Sequence, residues 1–285
     1  MKPIDIPVVP LGPGSQPDDG DAFEFMEMPR GMFQHEIVSL PEPENIGKLP
    51  AARQLLQALH QGISDYRCGQ PPVHLGMNHL TAEENSLINQ ILGEGEVSIT
   101  VERGETRLQI QESVLTGLWR IQTRAAADGH LLDDAIEIAD IPAAVREHSF
   151  SGDRAVDTDP ATLPAGVQNS PALLVEIADA IAAFRPGRPA HVINLTLLPL
   201  TPEDLLALGE RLGVGPTTLL SRGYGNCRIG ATAKDNVWWI KYFNSQDVLI
   251  LNTIEITAIP EVALAAQEDI DDSAERLGEI AAMYG

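Results

Sequence analysis

The sequence predicts an α+β protein, built as an internal duplication of a helix-strand-helix unit followed by three or four antiparallel strands. An extended, Pro-rich N-terminal tail precedes the two units and a C-terminal helix follows them. Three observations carry that prediction. Residues with a fixed structural role recur 120 positions apart: Thr81 and Thr201, Gly93 and Gly213, Gly95 and Gly215, Trp119 and Trp239. Each half passes from helical periodicity to the alternation of strands. Between the halves, Ser149 to Asn169 is rich in Gly, Pro, Asp and Ser, the composition of a linker. The expected division is a tail over 1–48, a first repeat domain over 49–148, a linker over 149–169, and a second repeat domain with the terminal helix over 170–285.

The tail carries eight prolines, which argues for extended or partly disordered chain rather than a helix or central strand. Within it Phe23 to Met28 alternates apolar and acidic residues and could add as an edge strand. From Pro50, Leu55, Leu56, Leu59 and Ile63 form one helical stripe. Leu173, Leu174, Ile177, Ile181 and Phe184 repeat it more strongly in the second half. A short apolar run follows each helix, Val73 to Met77 and Val192 to Leu198, and both read as buried strands.

Thr81-Ala82-Glu83-Glu84 is a capping box, in which the threonine hydroxyl accepts from the third backbone N–H and the glutamate reaches back. Thr201-Pro202-Glu203-Asp204 repeats it, with proline at the first helical position where no N–H is needed. Gly93 and Gly213 stop these helices. Alternating segments come next: Val97 to Val101, Leu108 to Ile110, Trp119 to Thr123 and Ile136 to Ile138 in the first half. Thr217 to Leu220, Cys227 to Ala231, Val237 to Phe243 and Val248 to Ile256 answer them in the second. Each half closes on Ile-Pro, at Ile141-Pro142 and Ile259-Pro260, before a short alanine-rich helix. A terminal helix presenting Ile270, Ala274, Leu277, Ile280, Ala281 and Tyr284 is expected to dock on the second repeat.

With 285 residues, 44% of them hydrophobic, the chain can bury one large core or two ordinary ones. Forty-one acidic residues against 19 basic ones give a net charge of -22. That balance opposes sequence-independent attraction to nucleic acid or anionic lipid and makes a basic partner the natural complement. The same acidity also serves solubility. Two cysteines, Cys68 and Cys227, are too few for a cysteine-only zinc or iron-sulfur site and belong to no CxxC pair. The N-terminus lacks an apolar run of signal-peptide length, and no run reaches the roughly 18 residues of a transmembrane helix. A cytoplasmic protein is expected.

Motifs for chemistry are scarce. No GxSxG, Walker or dinucleotide fingerprint occurs, and His74 and His79 lack the four-residue spacing of a helical metal site. No catalytic, cofactor-binding or metal-binding residue is expected. The stretch Ser221 to Cys227 (SRGYGNC) has two readings. In one it is a hairpin turn with Gly223 and Gly225 at positive φ. In the other, Arg222, Tyr224, Asn226 and Cys227 touch a partner, joined by Trp238 if that member of the Trp238-Trp239 pair faces outward. Arg228 reads as an exposed strand-edge charge.

Eight short motifs then fall in one order: Leu11–Pro17 (LGPGSQP), Leu92–Ser98 (LGEGEVS), Gln109–Ser113 (QIQES), Gly117–Arg120 (GLWR), Ile193–Thr196 (INLT), Gly223–Gly225, Ile259–Val262 (IPEV) and Glu268–Leu277 (EDIDDSAERL). Through them almost the whole chain resembles the HupH/HyaF/HoxQ family of hydrogenase expression and formation proteins. That resemblance implies a non-enzymatic accessory protein or chaperone for an uptake-type nickel-iron hydrogenase. It would act on the iron-sulfur small subunit precursor, beside a thioredoxin-like hydrogenase accessory protein, before export of the folded enzyme. A role in handling or protecting iron-sulfur clusters, through Cys227 and nearby histidines, is the alternative.

Overall fold

The computed structural model describes residues 49–222 and 226–283. The expected tail with its Phe23–Met28 segment, the glycines of the SRGYGNC turn, Tyr224 and Tyr284 lie outside them. The first half runs α1 (Pro50–Asp65), β1 (Val73–Gly76), α2 (Ala82–Leu92), β2 (Val97–Arg103), β3 (Thr106–Glu112), β4 (Leu118–Ala125), β5 (Leu131–Ile138) and α3 (Ala143–His148). The second runs α4 (Ser170–Ala183), β6 (His191–Asn194), α5 (Pro202–Leu212), β7 (Thr217–Ser221), β8 (Asn226–Ala231), β9 (Val237–Phe243), β10 (Leu249–Ile256) and α6 (Gln267–Met283).

Among the described residues the strands join one antiparallel sheet of ten, in the order β1-β5-β4-β3-β2-β7-β8-β9-β10-β6. The two halves therefore meet edge to edge at β2 and β7, with Ile99 opposite Leu219, and are not separate lobes. Their order is mirrored about that junction. The capping boxes sit where the sequence places them, on Thr81 with Glu84 and on Thr201 with Asp204. Gly95 and Gly215 match as well: a Cβ there would lie 2.3 Å from the Ser113 carbonyl oxygen and 2.4 Å from that of Thr232, so only glycine fits.

One face of the sheet carries the long helices. Leu173, Leu174, Ile177 and Ile181 of α4 and Leu205, Leu208 and Leu212 of α5 pack with Val237, Trp239, Ile254 and Ile256. In the first half α1 approaches Ile138 through Gly62, and Asn85 and Asn89 of α2 hold Arg120. The other face presents Ile99, Val101, Ile110, Trp119, Ile229, Trp238 and Ile240, all buried, with α3 against β2 and Phe150 edge-on to Trp238. Ala144 and Val145 of α3, Phe150, Ile259 and Leu264 belong to the same apolar cluster. The Ala265 N–H donates to the Asp140 carbonyl, tying the segment after β10, with its 3-10 turn at Glu261–Ala263, to the end of β5.

Several expectations are corrected. The terminal helix α6 docks on the first half, not the second. Ile270 abuts Gly117, Gly278 lies against the His60 ring, and Gln267 and Asp271 reach Cys68 and Arg67. Periodicity shows that α6 has an apolar face but not which surface receives it. In return, the segment expected as a loose linker is fastened to the second half, Ser149 donating to Thr217, Asp153 pairing with Lys234 and Asp157 with Arg211. The run Val192–Leu198 is a strand only to Asn194; the Asn194 side chain accepts the Thr196 N–H and turns the chain into a 3-10 turn. Only the first Ile-Pro leads into an α-helix.

The tryptophan correspondence also shifts. Ile99 faces Ile110, eleven residues on, whereas Leu219 faces Ile229, ten residues on. One fewer residue around the second turn changes the spacing of equivalent positions from 120 to 119. Trp119 therefore matches Trp238, and both donate from Nε1 to backbone carbonyls beyond the last strand of their half, Ala139 in one and Thr257 and Ala258 in the other.

Candidate functional site

The residues singled out in SRGYGNC do not form one exposed patch. Arg222 is exposed, its backbone N–H held by the Glu96 carbonyl. Asn226 donates from Nδ2 to Asp247 Oδ1 at 2.6 Å. Cys227 is buried opposite Tyr242, and Trp238 is 0% exposed, because both side chains share the inner face with Ile229 and Ile240. Neither is presented to a partner. Arg228 is no exposed charge either, since its guanidinium lies 4.5 Å from the centre of the Phe243 ring. Trp239 is buried on the helix-covered face, its Nε1 donating to Asn252.

Burial pushes the Cys227 thiol up to about 12, with the Glu255 carboxylate adding to the shift. Cys68 is exposed, but burial of its sulfur and the nearby Asp140 also raise it, and Sγ donates to the Ala265 carbonyl. The two thiols sit in different halves. His191 is remote from Cys227 as well: it belongs to end strand β6, two strands further along the sheet than β9, and bonds Glu176 of α4 on the helix-covered face. Among the described residues no group of three His, Cys, Asp or Glu side chains could hold a metal ion, and no helix is long and apolar enough to cross a membrane.

What the structure does offer is a cleft of about 570 Å³ at the β6 end of the inner face. Its floor is Val192 of β6, Glu255 of β10 and Tyr242 of β9. Arg188, Pro189 and Ala190 approach from one side, and Thr257, Ile259, Glu261, Val262 and Leu264 form the other. Glu255 lies directly opposite Trp238, and its carboxyl is raised by burial and by Glu261. Burial also pushes the Tyr242 hydroxyl up to about 12, helped by Cys227 and Glu255. The SRGYGNC thiol thus neighbours Tyr242 on the next strand and does not itself line the cleft.

Sequence reasoning passed over Glu255, although a signal was present. Ile136-Glu137-Ile138 and Ile254-Glu255-Ile256 each set a glutamate between isoleucines near the end of a strand. Glu137 lies opposite Trp119, as Glu255 lies opposite Trp238. Burial raises Glu137, but its Oε1 accepts the Ala143 N–H at 2.6 Å and so caps the entry to α3. Glu255 accepts no hydrogen bond from any described residue.

The family described as "HupH hydrogenase expression protein, C-terminal conserved region" matches twice, over residues 49–150 and 167–284. The hydrogenase expression/formation protein HoxQ of Cupriavidus necator is 44% identical over 285 residues, covering 100% of this chain and 99% of that protein. The hydrogenase-1 operon protein HyaF of Escherichia coli is 33% identical, covering 95% of this chain and 94% of HyaF. A solved structure, the hydrogenase expression protein HupH of Thiobacillus denitrificans, is 32% identical, covers 40% of this chain and 95% of that one, and superposes with a TM-score of 0.37.

Proposed function

The chain belongs to the HupH family of hydrogenase expression proteins, and from that membership we propose a non-enzymatic chaperone in the assembly of an uptake-type nickel-iron hydrogenase. In this reading it holds the iron-sulfur small subunit precursor in the cytoplasm before export, with a thioredoxin-like accessory protein working beside it. The role in hydrogenase expression and formation is supported by the names of relatives matched over 94% to 99% of their length. We also read the two matched segments as copies of one ancestral unit, which the mirrored sheet and the paired capping boxes support.

The observation that carries the non-catalytic reading is the state of the two thiols. A cysteine acts as nucleophile or metal ligand in its thiolate form. Cys227 is buried with its thiol near 12, Cys68 is raised and tied to Ala265, and the two lie in different halves. The net charge of -22 suits a precursor whose signal peptide carries arginine, and attraction of that kind weakens with salt.

The test is titration of the purified protein with purified precursor at rising ionic strength, alongside iron analysis of protein isolated without oxygen. Metal-free protein that captures the precursor, less tightly as salt rises, is the expected result. Stoichiometric iron that disappears in Cys227→Ser would overturn it in favour of a cluster-handling protein.

A further inference from the structure

Two glutamates occupy matching places opposite matching tryptophans, but only one is provided for. Glu137 receives the Ala143 N–H, whereas Glu255 is half-buried in the cleft with no donor among the described residues. Its oxygens are not sealed from solvent, and a charged donor is the strongest complement for a partly desolvated carboxylate. Glu261 stands beside it at the rim, doubling the demand for positive charge, while the exposed Arg188 on the opposite side offsets one of the two. The balance suits one cation rather than a basic run. Val192, Ile259, Val262 and Leu264 supply apolar walls for the stem of a long basic side chain.

The sheet itself says how such a side chain would arrive. β6 is the last strand, and its outer edge has no partner among the described residues. Val192, its exposed central residue, faces the cleft. A strand added along that edge would place every second side chain on the same face.

We propose that the cleft is a docking site for an extended segment of a partner polypeptide in which one arginine or lysine stands among apolar residues, the cation seated between Glu255 and Glu261 and the segment running beside β6. The inference rests on the reading above only for which protein supplies that segment.

It is tested with the full chain by fluorescence anisotropy, using a labelled seven-residue valine-serine peptide with a central arginine and the same peptide with glutamine in its place. The arginine peptide should bind at low salt at least tenfold more tightly than the glutamine one. Glu255→Gln combined with Glu261→Gln should weaken it at least tenfold, and Glu275→Gln with Glu279→Gln, the same charge change on the exposed side of α6, should not. Thermal melts establish that both variants are folded. Equal binding of the two peptides, no binding, or full binding by the Glu255/Glu261 variant would overturn the assignment, and occupation of the cleft by residues 1–48 would appear as no binding. Precursor capture separates this proposal from the chaperone reading. Capture that the double variant retains in full sinks the cleft alone. Glutamate-dependent peptide binding without any precursor capture sinks the chaperone and leaves the cleft.

Discussion

Glu112 shows how far one buried side chain can govern the response to pH. Burial beside Trp119, then the charges of Glu96 and Asp269, push its carboxyl up to about 7 from an ordinary 4.5. The fold thus favours the protonated form, a contribution complete below pH 4.5 and lost as pH rises through about 7. A shift of that size corresponds to about 3 kcal/mol. Glu112→Gln should therefore stabilise the protein in urea unfolding at pH 8 by roughly that order and change little at pH 4. The thiols allow a second check. With a thiol-specific disulfide reagent at pH 8, Cys68 should react in the native protein and Cys227 only on unfolding; rapid reaction of Cys227 would contradict its burial. Residue-scale features were the least legible in the sequence. Trp238 and Trp239 are equally apolar on paper, and only the one-residue difference in register decides that Trp238 shares the place of Trp119. Glu255 was readable as a glutamate between isoleucines, but its missing donor depends on where the Ile259–Leu264 segment runs.

At the scale of elements, the carboxylates of the two capping boxes do more than close their own helices. Glu84 also accepts the Ala51 N–H at the start of α1, and Asp204 accepts those of Gln168, Asn169 and Ser170 at the start of α4. Burial alone would raise Asp204, but the N–H groups of Ser170, Thr201, Gln168 and Asn169 bring it down to about 2. Its contribution is present above the ordinary value of 3.8 and lost as pH falls through about 2. Asp204→Ala should cost about 2–4 kcal/mol by removing one cap and orphaning the N–H groups of a second helix, as measured by denaturant unfolding. The caps and glycine stops were legible because they depend on residues within four positions of each other. Docking of α6 was not, because it joins Ile270 to Gly117 and Gly278 to His60 across the whole chain. A Cβ at Gly278 would lie 2.8 Å from the His60 ring. Gly278→Leu should accordingly speed hydrogen exchange in α1 and α6, whereas faster exchange confined to α4 would place α6 on the wrong half.

The molecule as a whole is an exchange between halves. α6 leaves the second half to cover the first, and residues 149–157 leave the first to fasten onto the second. With one sheet through both, urea unfolding followed by tryptophan fluorescence and by circular dichroism should give coincident single transitions. The 120-residue spacing of matched residues was legible in the sequence, but the joining of the two halves through β2 and β7 was not, since both strands alternate as they would at a free edge. The cleft lies at the opposite limit of that sheet, far from the junction and on the face that carries Trp238. The central claim, that this acidic scaffold holds a hydrogenase precursor, is tested most directly by tagging the protein in cells that make the hydrogenase, cross-linking, and identifying what co-purifies. Recovery of the small subunit precursor, cross-linked near β6 and the Ile259–Leu264 segment, is the expected result. Recovery of only unrelated proteins would contradict it.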